Sequence, residues 1–304
     1  MNEPVTSPVA VVGPGAIGGL LAAMLQRSGH DVVLVAREAT ARHLDAHGID
    51  VVTDLFGSWH ADLPARTDVP AGARVLITVK ADGVAWAGNL LRDAAPSEAI
   101  ALLNGVEHMS GLRAAAPGVV VHGGAFLGQT RRTGSTSDTA PLQVRHFFDL
   151  LKVVVSDDAA GLGLVGDLAA AGADVSAGGS EPRVLWTKLR SLAALHVLTC
   201  LHDAGIGGAL DRDPALTAGV LSELAAVTSA EGVPTTPADI ETTLRGFPPA
   251  TVGSLHADLA AGSEGELDPI VGAVVRAGAR HGIGTPTLTD AIDRLRGLVG
   301  AARP

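Results

Sequence analysis

VAVVGPGAIGGLLAAMLQRSGHDVVLVAR, residues Val9–Arg37, decides the fold, because strand, turn, helix and second strand follow one another within a unit of about thirty residues. Val9–Val12 is a short, continuously apolar run, the pattern of a strand buried on both faces of a parallel sheet. Gly13-Pro14-Gly15-Ala16-Ile17-Gly18 then reads G-x-G-x-x-G directly after that strand and at the opening of a helix. The first glycine permits the tight turn and the second lets backbone approach a pyrophosphate. The third lets helix and strand pack closely, with the helix N-terminus facing the negative charge. With 38 glycines in 304 residues the motif alone would be weak, and a purely structural turn is the bland alternative. Its position selects dinucleotide binding, with Ala16 and Ile17 inside the cradle.

The second strand, Val32–Ala36, ends on Arg37, with Arg42 a little further on. An acidic residue there would bind a ribose 2′-hydroxyl, whereas an arginine accepts a 2′-phosphate, so the position favours NADP over NAD. The competing reading is a solvated Arg37 paired with Glu38.

Outward from this unit, Arg74–Val79, Glu98–Leu103 and Gly118–Val121 are further apolar runs, separated by Ala-rich or amphipathic stretches. That is the βαβ rhythm of a doubly wound domain. From Glu181 the β-branched runs stop. Periodic Ala/Leu stretches predict helices over Glu181–His202, Pro214–Ala230, Pro237–Arg245, Thr251–Ala261, Asp268–His281 and Thr287–Ala301. The small, flexible run Gly178–Ser180 predicts a boundary, giving a Rossmann-type domain over 1–180 and an all-helical domain over 181–304. TRRTGSTSDT, Thr130–Thr139, reads as a polar surface loop, and no internal repeat is present.

Composition removes whole classes of chemistry. One cysteine, Cys200, excludes an internal disulfide, a four-cysteine zinc site and an iron–sulfur cluster, and fits a reducing compartment. No tyrosine is present, so no mechanism can use a phenol as proton donor. The formal charge of −10 argues against nucleic acid as a partner. Val9–Leu25 is long and uncharged enough to suggest a signal or membrane segment. Its four glycines and proline, and the lack of Lys or Arg before it, favour a cytoplasmic, non-membrane protein instead. His43 and His47 have helical i, i+4 spacing without a third ligand nearby, so they are read as a solvated face and no metal is expected. The Ala-rich helical half offers close-packing surface for a homodimer.

Four further segments resemble the ketopantoate reductase (2-dehydropantoate 2-reductase) family, in order and over nearly the whole chain. Val79-Lys80-Ala81 resembles the family's Val-Lys-Ala, and Leu103-Asn104-Gly105-Val106 its Gln-Asn-Gly-Val turn. Trp186-Thr187-Lys188-Leu189 is similar to its Trp-x-Lys-Leu. Ser254 with Asp258, then Glu266-Leu267-Asp268 and Gly272, resemble its Ser-x-x-x-Asp and Thr-Glu-Ile-Asp elements, followed by Gly282-Ile283-Gly284-Thr285-Pro286. The resemblance implies a helical domain like the C-terminal one of 6-phosphogluconate dehydrogenase, and hydride transfer from NADPH to the ketone of a 2-keto acid. It further implies Lys188 as proton donor and Glu266 as its partner. Ser254 and Asn104 would contact substrate, with Lys80 and Asn104 beside the cofactor. A solvated Lys188 or Lys80, a turn-forming Asn104 and a surface Glu266 are the ordinary readings without it.

Departures concentrate on the Lys188 helix. Lys188, Leu192 and His196 make one stripe at i, i+4 spacing, and the family pattern has asparagines at the two later positions. Leucine cannot replace an amide's hydrogen bonds, while His196 could donate to a carboxylate or serve as a second acid; a core histidine bonded to backbone is the equal alternative. Gly265 replaces the Thr before Glu266, and the usual Asp before the strand at Val75 is missing. These changes point to 2-dehydropantoate handled by a degraded site or, preferably, to a less polar ketone or imine. Two other classes remain: a cofactor-binding protein without turnover, and a non-redox cyclase or isomerase using His196 or Glu266 as base.

Overall fold

The computed structural model describes residues 7–136 and 139–301. Its contacts divide into two compact units, the first comprising residues up to Leu103 with His108–Val184, the second Asn104–Glu107 with Leu185 onward.

The first unit is built on a ten-stranded mixed sheet. Its strands are β1 (Val9–Val12), β2 (Val32–Val35), β3 (Ile49–Thr53), β4 (Gly57–Ala61), β5 (Ala65–Arg66), β6 (Arg74–Ile77), β7 (Glu98–Ala101), β8 (His122–Thr133), β9 (Leu142–Val155) and β10 (Asp174–Ala177). The spatial order is β4-β3-β9-β8-β7-β6-β1-β2-β5, with β10 added on β9. β1 pairs in parallel with β2 on one side and β6 on the other, so the winding reverses at β1. In open α/β sheets ligands bind at the carboxyl ends of the strands flanking such a reversal. The helices are α1 (Ala16–Arg27), α2 (Glu38–His47), α3 (Val84–Ala94), α4 (His108–Ala115) and α5 (Gly163–Ala170). β1 and β2 are buried at every position, which explains their unbroken valines.

Two expectations need correction. Gly118–Val121 is not a strand: chain enters the sheet at His122, and Val120 is 70% exposed. Thr130–Thr133 is not loop but the far end of β8, which turns away from β7 to pair antiparallel with β9 across a register shift at Leu127/Gln129. Ser137 and Asp138 of that predicted loop lie outside the described residues. β9 escapes a search for continuous apolar runs because it alternates buried and exposed positions, being covered on one face only.

The second unit is helical: α6 (Glu181–His202, begun in the first unit's last residues), α7 (Ile206–Arg212), α8 (Pro214–Ala230), α9 (Pro237–Arg245), α10 (Leu255–Ala260), a π-helical turn (Asp268–Gly272) continuing into α11 (Ala273–Arg280), and α12 (Pro286–Ala301). Local chemistry explains the starts. Asp213 caps α8 by accepting from Ala215 and Leu216 N–H groups, with Pro214 at the first turn, where no donor is lost. Thr236 and Asp239 form a reciprocal capping box ahead of α9. The predicted Thr251–Ala261 helix is shorter: it starts at Leu255, just after Gly253, where any side chain would overlap the His196 ring. α6 is long and apolar enough to cross a membrane, yet it is the mostly buried core helix of this unit. Val9–Leu25 is divided between β1, the glycine turn and α1. Cys200 sits in the helical core, where burial pushes its thiol up to about 12 and leaves it inert.

Candidate active-site residues in two units

At the end of β1 the glycines have distinct duties. Gly13 has φ +87°, and a Cβ there would lie 2.8 Å from the Val79 backbone nitrogen, so the turn and the neighbouring strand end admit no side chain. Gly18 is closed off by Thr78 and by the Gly13 carbonyl, 2.7 Å from where a Cβ would stand. Thr78 itself donates to the Gly13 oxygen at 2.8 Å, tying the turn to the end of β6. Gly15 differs: its φ is −79°, which any residue adopts, and protein comes no nearer its missing Cβ than 3.9 Å. Nothing inside the fold demands glycine at Gly15. The open space lies over the N-terminus of α1, which has no side-chain cap and no acidic residue in its first turn. A dinucleotide pyrophosphate fits that cradle by charge and by access, with Ala16 and Ile17 supplying the first-turn N–H groups.

Arg37 is exposed at the N-cap of α2 and makes no ion pair with a described residue; Glu38 is taken by Arg42, at 3.7 Å. The alternative pairing of Arg37 with Glu38 is thereby corrected. Lys80, exposed, precedes the short 3₁₀ turn Ala81–Gly83. His43 is buried rather than solvated, its ring 4.8 Å from that of His47, which corrects the reading of that helix face. Among the described residues no group of three potential metal ligands occurs.

The helical unit gathers the others. Asn104 Nδ2 donates to Glu266 Oε2 at 2.9 Å, joining residues 162 apart in sequence. Lys188, on one face of α6, is partly buried and makes no direct ion pair with a described residue. Burial pushes its ammonium down to about 8, with the Glu266 charge opposing the shift. His196, two turns on, is wholly buried, and neither ring nitrogen has a partner among the described residues. Burial first, and the Lys188 charge second, lower it to about 3. The ring is thereby neutral near pH 7, with one N–H donor. The alternative of a core histidine bonded to backbone is corrected, since neither ring nitrogen meets a described partner. Gly253 closes over the ring, a Cβ there falling 2.6 Å from Nε2, and its N–H reaches Thr199 Oγ1 at 3.4 Å. Ser254, next along, is exposed and leaves its hydroxyl uncommitted to the helix it begins. Leu192 packs against the helical core from a partly buried position. Gly265 has φ +49° and the Asp258 side chain occupies its Cβ space, at 2.7 Å from Cγ, so a Thr has no room there.

The buried neutral imidazole makes a stability prediction. A base whose folded-state pKa is depressed stabilises the fold above its unfolded value and loses that contribution as pH falls. Between pH 6.5 and about 3, His196 costs about 1.4 kcal/mol per pH unit. Denaturant unfolding of His196→Asn at pH 7 and pH 5 is expected to show a shallower acid loss than the parent; equal slopes would reject it.

Sequence reading missed the structural partners: Thr78 beneath the glycine turn, Gly253 over His196, and the Glu107–Arg276 pair on the Asn104 turn. Single Thr, Gly or Arg residues carry no local signal, because their importance lies in long-range contact.

A doubly wound sheet with a glycine-rich turn at its reversal point defines a dinucleotide-binding domain of the Rossmann class, here followed by a helical unit. Residues 9–154 match the family described as Ketopantoate reductase PanE/ApbA, and residues 183–298 that described as Ketopantoate reductase PanE/ApbA C terminal. The chain belongs to the ketopantoate reductase family. A 2-dehydropantoate 2-reductase from Caulobacter vibrioides is 32% identical over 296 residues, 91% of this chain and 94% of the relative. A crystal structure of a PanE/ApbA family ketopantoate reductase from Ralstonia eutropha JMP134 is 28% identical, with a TM-score of 0.80, covering 98% of this chain and 100% of the other. D-mandelate dehydrogenase, solved with NADH and anilino(oxo)acetate, shares the fold at 19% identity and a TM-score of 0.82, with 98% and 100% coverage.

Proposed function

We propose that this chain is a cytoplasmic NADPH-dependent reductase that converts the ketone of a 2-keto acid to a hydroxyl, the reaction named for its 2-dehydropantoate 2-reductase relatives. The observation that carries it is Lys188, an ammonium lowered to about 8 and without a direct ion partner among the described residues, in the unit that pairs Asn104 with Glu266. The glycine turn would hold a reduced dinucleotide, which would supply the hydride for the carbonyl carbon. Lys188 Nζ stabilises the charge growing on the carbonyl oxygen and gives it a proton, so that C=O becomes CH–OH; solvent then reprotonates the amine. Asn104 and Glu266 hold substrate polar groups, Ser254 donates a further hydrogen bond, and the exposed Arg37 receives the 2′-phosphate.

Leu192 and His196 favour a substrate less polar than 2-dehydropantoate. Leu192 offers contact area but no hydrogen bond, and the orphaned His196 ring has one N–H to give. NADPH oxidation with a panel of aliphatic and aromatic 2-keto acids tests the reading. Turnover is expected, faster on the less polar members. Binding without oxidation would favour a non-catalytic NADPH-binding protein, and activity that ignores NADP a non-redox enzyme. NADPH is expected to be preferred to NADH by at least about tenfold, with Arg37→Gln erasing most of that preference, as one lost charge-assisted contact implies. A parent indifferent to the 2′-phosphate would overturn the NADP assignment.

A further inference from the structure

Arg276, on α11, reaches two elements at once. Its Nε and Nη2 donate to Glu107 Oε1 and Oε2 at 3.0 and 2.8 Å, and its Nη1 donates to Asp268 Oδ1 at 2.9 Å. Nη2 also reaches the Asp268 carbonyl at 3.3 Å. Isolated exposed ion pairs contribute little, but a guanidinium forked onto one carboxylate and shared with a second is the arrangement that does contribute.

What the fork joins gives it meaning. Glu107 ends the short turn that carries Asn104, and Asp268 opens the π-helical turn that Glu266 precedes. Gly272 makes room for the pair, since a Cβ there would stand 2.6 Å from Asp268 Oδ1 and 3.1 Å from Arg276 Nη1. Gly105, at φ +85°, lays its backbone on the same turn; its Cβ would fall 2.7 Å from the Pro269 oxygen. Two irregular segments distant in sequence are thus fastened face to face, and the Asn104–Glu266 hydrogen bond spans the junction. Single π turns inside helices occur often at functional sites, where the widened turn re-aims a side chain.

We propose that Arg276 is a positioning residue: it clamps the Asn104–Glu107 turn onto the π-helical turn, so that Asn104 and Glu266 meet substrate in one fixed arrangement. The clamp is a property of the fold, while its effect on turnover rests on the proposed roles of Lys188 and Glu266.

Arg276→Met removes the fork, and Arg276→Lys keeps the charge without it. Hydrogen exchange of the peptide containing residues 102–108 is expected to be about tenfold faster in the Met variant and intermediate in the Lys variant, with α8 unchanged. Turnover with the best 2-keto acid is expected to fall about tenfold to a hundredfold while KM for NADPH stays within about twofold, as misplacement of a positioned group implies. A merely structural role would lower the melting temperature and leave kcat at 25 °C unmoved. Unchanged exchange overturns the clamp. Turnover within about twofold of the parent, with Lys188→Met inactive, overturns its catalytic consequence. Full turnover in Lys188→Met instead defeats the functional reading, and the clamp is then decided by exchange alone. Glu107→Gln, which keeps the Arg276–Asp268 pair, repeats both measurements should the Met variant fail to fold.

Discussion

Lys188→Met is expected to lower kcat about a thousandfold or more, a barrier increase of about 4 kcal/mol, while NADPH affinity stays within a few fold. Methionine preserves the length of the side chain and its packing in α6 but can neither offset charge on the carbonyl oxygen nor donate a proton. The same assignment sets a pH dependence. Reduction uses the protonated amine, whose pKa burial lowers to about 8, so turnover is expected to be flat below about pH 7 and to fall tenfold per unit above about 8. Unfolded or exposed lysine would hold its proton to beyond pH 10, so an alkaline limb near 8 distinguishes the partly buried amine from an ordinary surface one. Stopped-flow oxidation of NADPH under saturating substrate measures both. A Met variant with parental turnover rejects Lys188 as the donor, and a pH-independent rate up to pH 10 rejects the lowered pKa.

The second large effect separates two glycines that look alike in sequence. Gly18→Ala forces a methyl against Thr78 and the Gly13 oxygen, so it is expected to destabilise the first unit by about 2 kcal/mol and to weaken NADPH binding by a hundredfold or so. Gly15→Ala meets no protein atom closer than 3.9 Å and needs no unusual backbone angle, so its melting temperature is expected to stay within about 2 °C of the parent. Its methyl nevertheless stands where a pyrophosphate must approach, and NADPH affinity is expected to drop by a comparable factor. Calorimetric titration with NADPH, paired with thermal unfolding, reads both quantities. Should Gly15→Ala bind NADPH as the parent does, the cradle assigned to the cofactor is wrong even if Gly18→Ala behaves as expected.

The two-regime architecture was legible because its signals are local. Periodicity switches from runs of buried valine to Ala/Leu helices. α8 and α9 begin where Asp213-Pro214 and Thr236-Pro237 place a side-chain acceptor ahead of a residue that needs no donor. Elements that failed are those whose identity depends on a partner. β9 carries Gln143, Arg145, Lys152 and other polar residues because only one of its faces is covered, and its pairing with β8 is made elsewhere in the chain. The candidate site divides the same way. Gly13, Gly15, Gly18 and Arg37 were readable from motif and position and Lys188 from the family resemblance, whereas the surroundings that tune them were not.

Val9–Arg37 thus determined on its own that a doubly wound sheet would form and where its glycine turn would lie, since strand length, turn geometry and helix start are all set within a few residues. Tertiary structure alone decided that Asn104 meets Glu266, that Arg276 bridges Glu107 and Asp268, that Arg37 pairs with no described residue, and that His196 is held neutral. Those outcomes are burial and electrostatics between residues brought together from far along the chain, and no local pattern encodes the desolvation or the distance on which they depend.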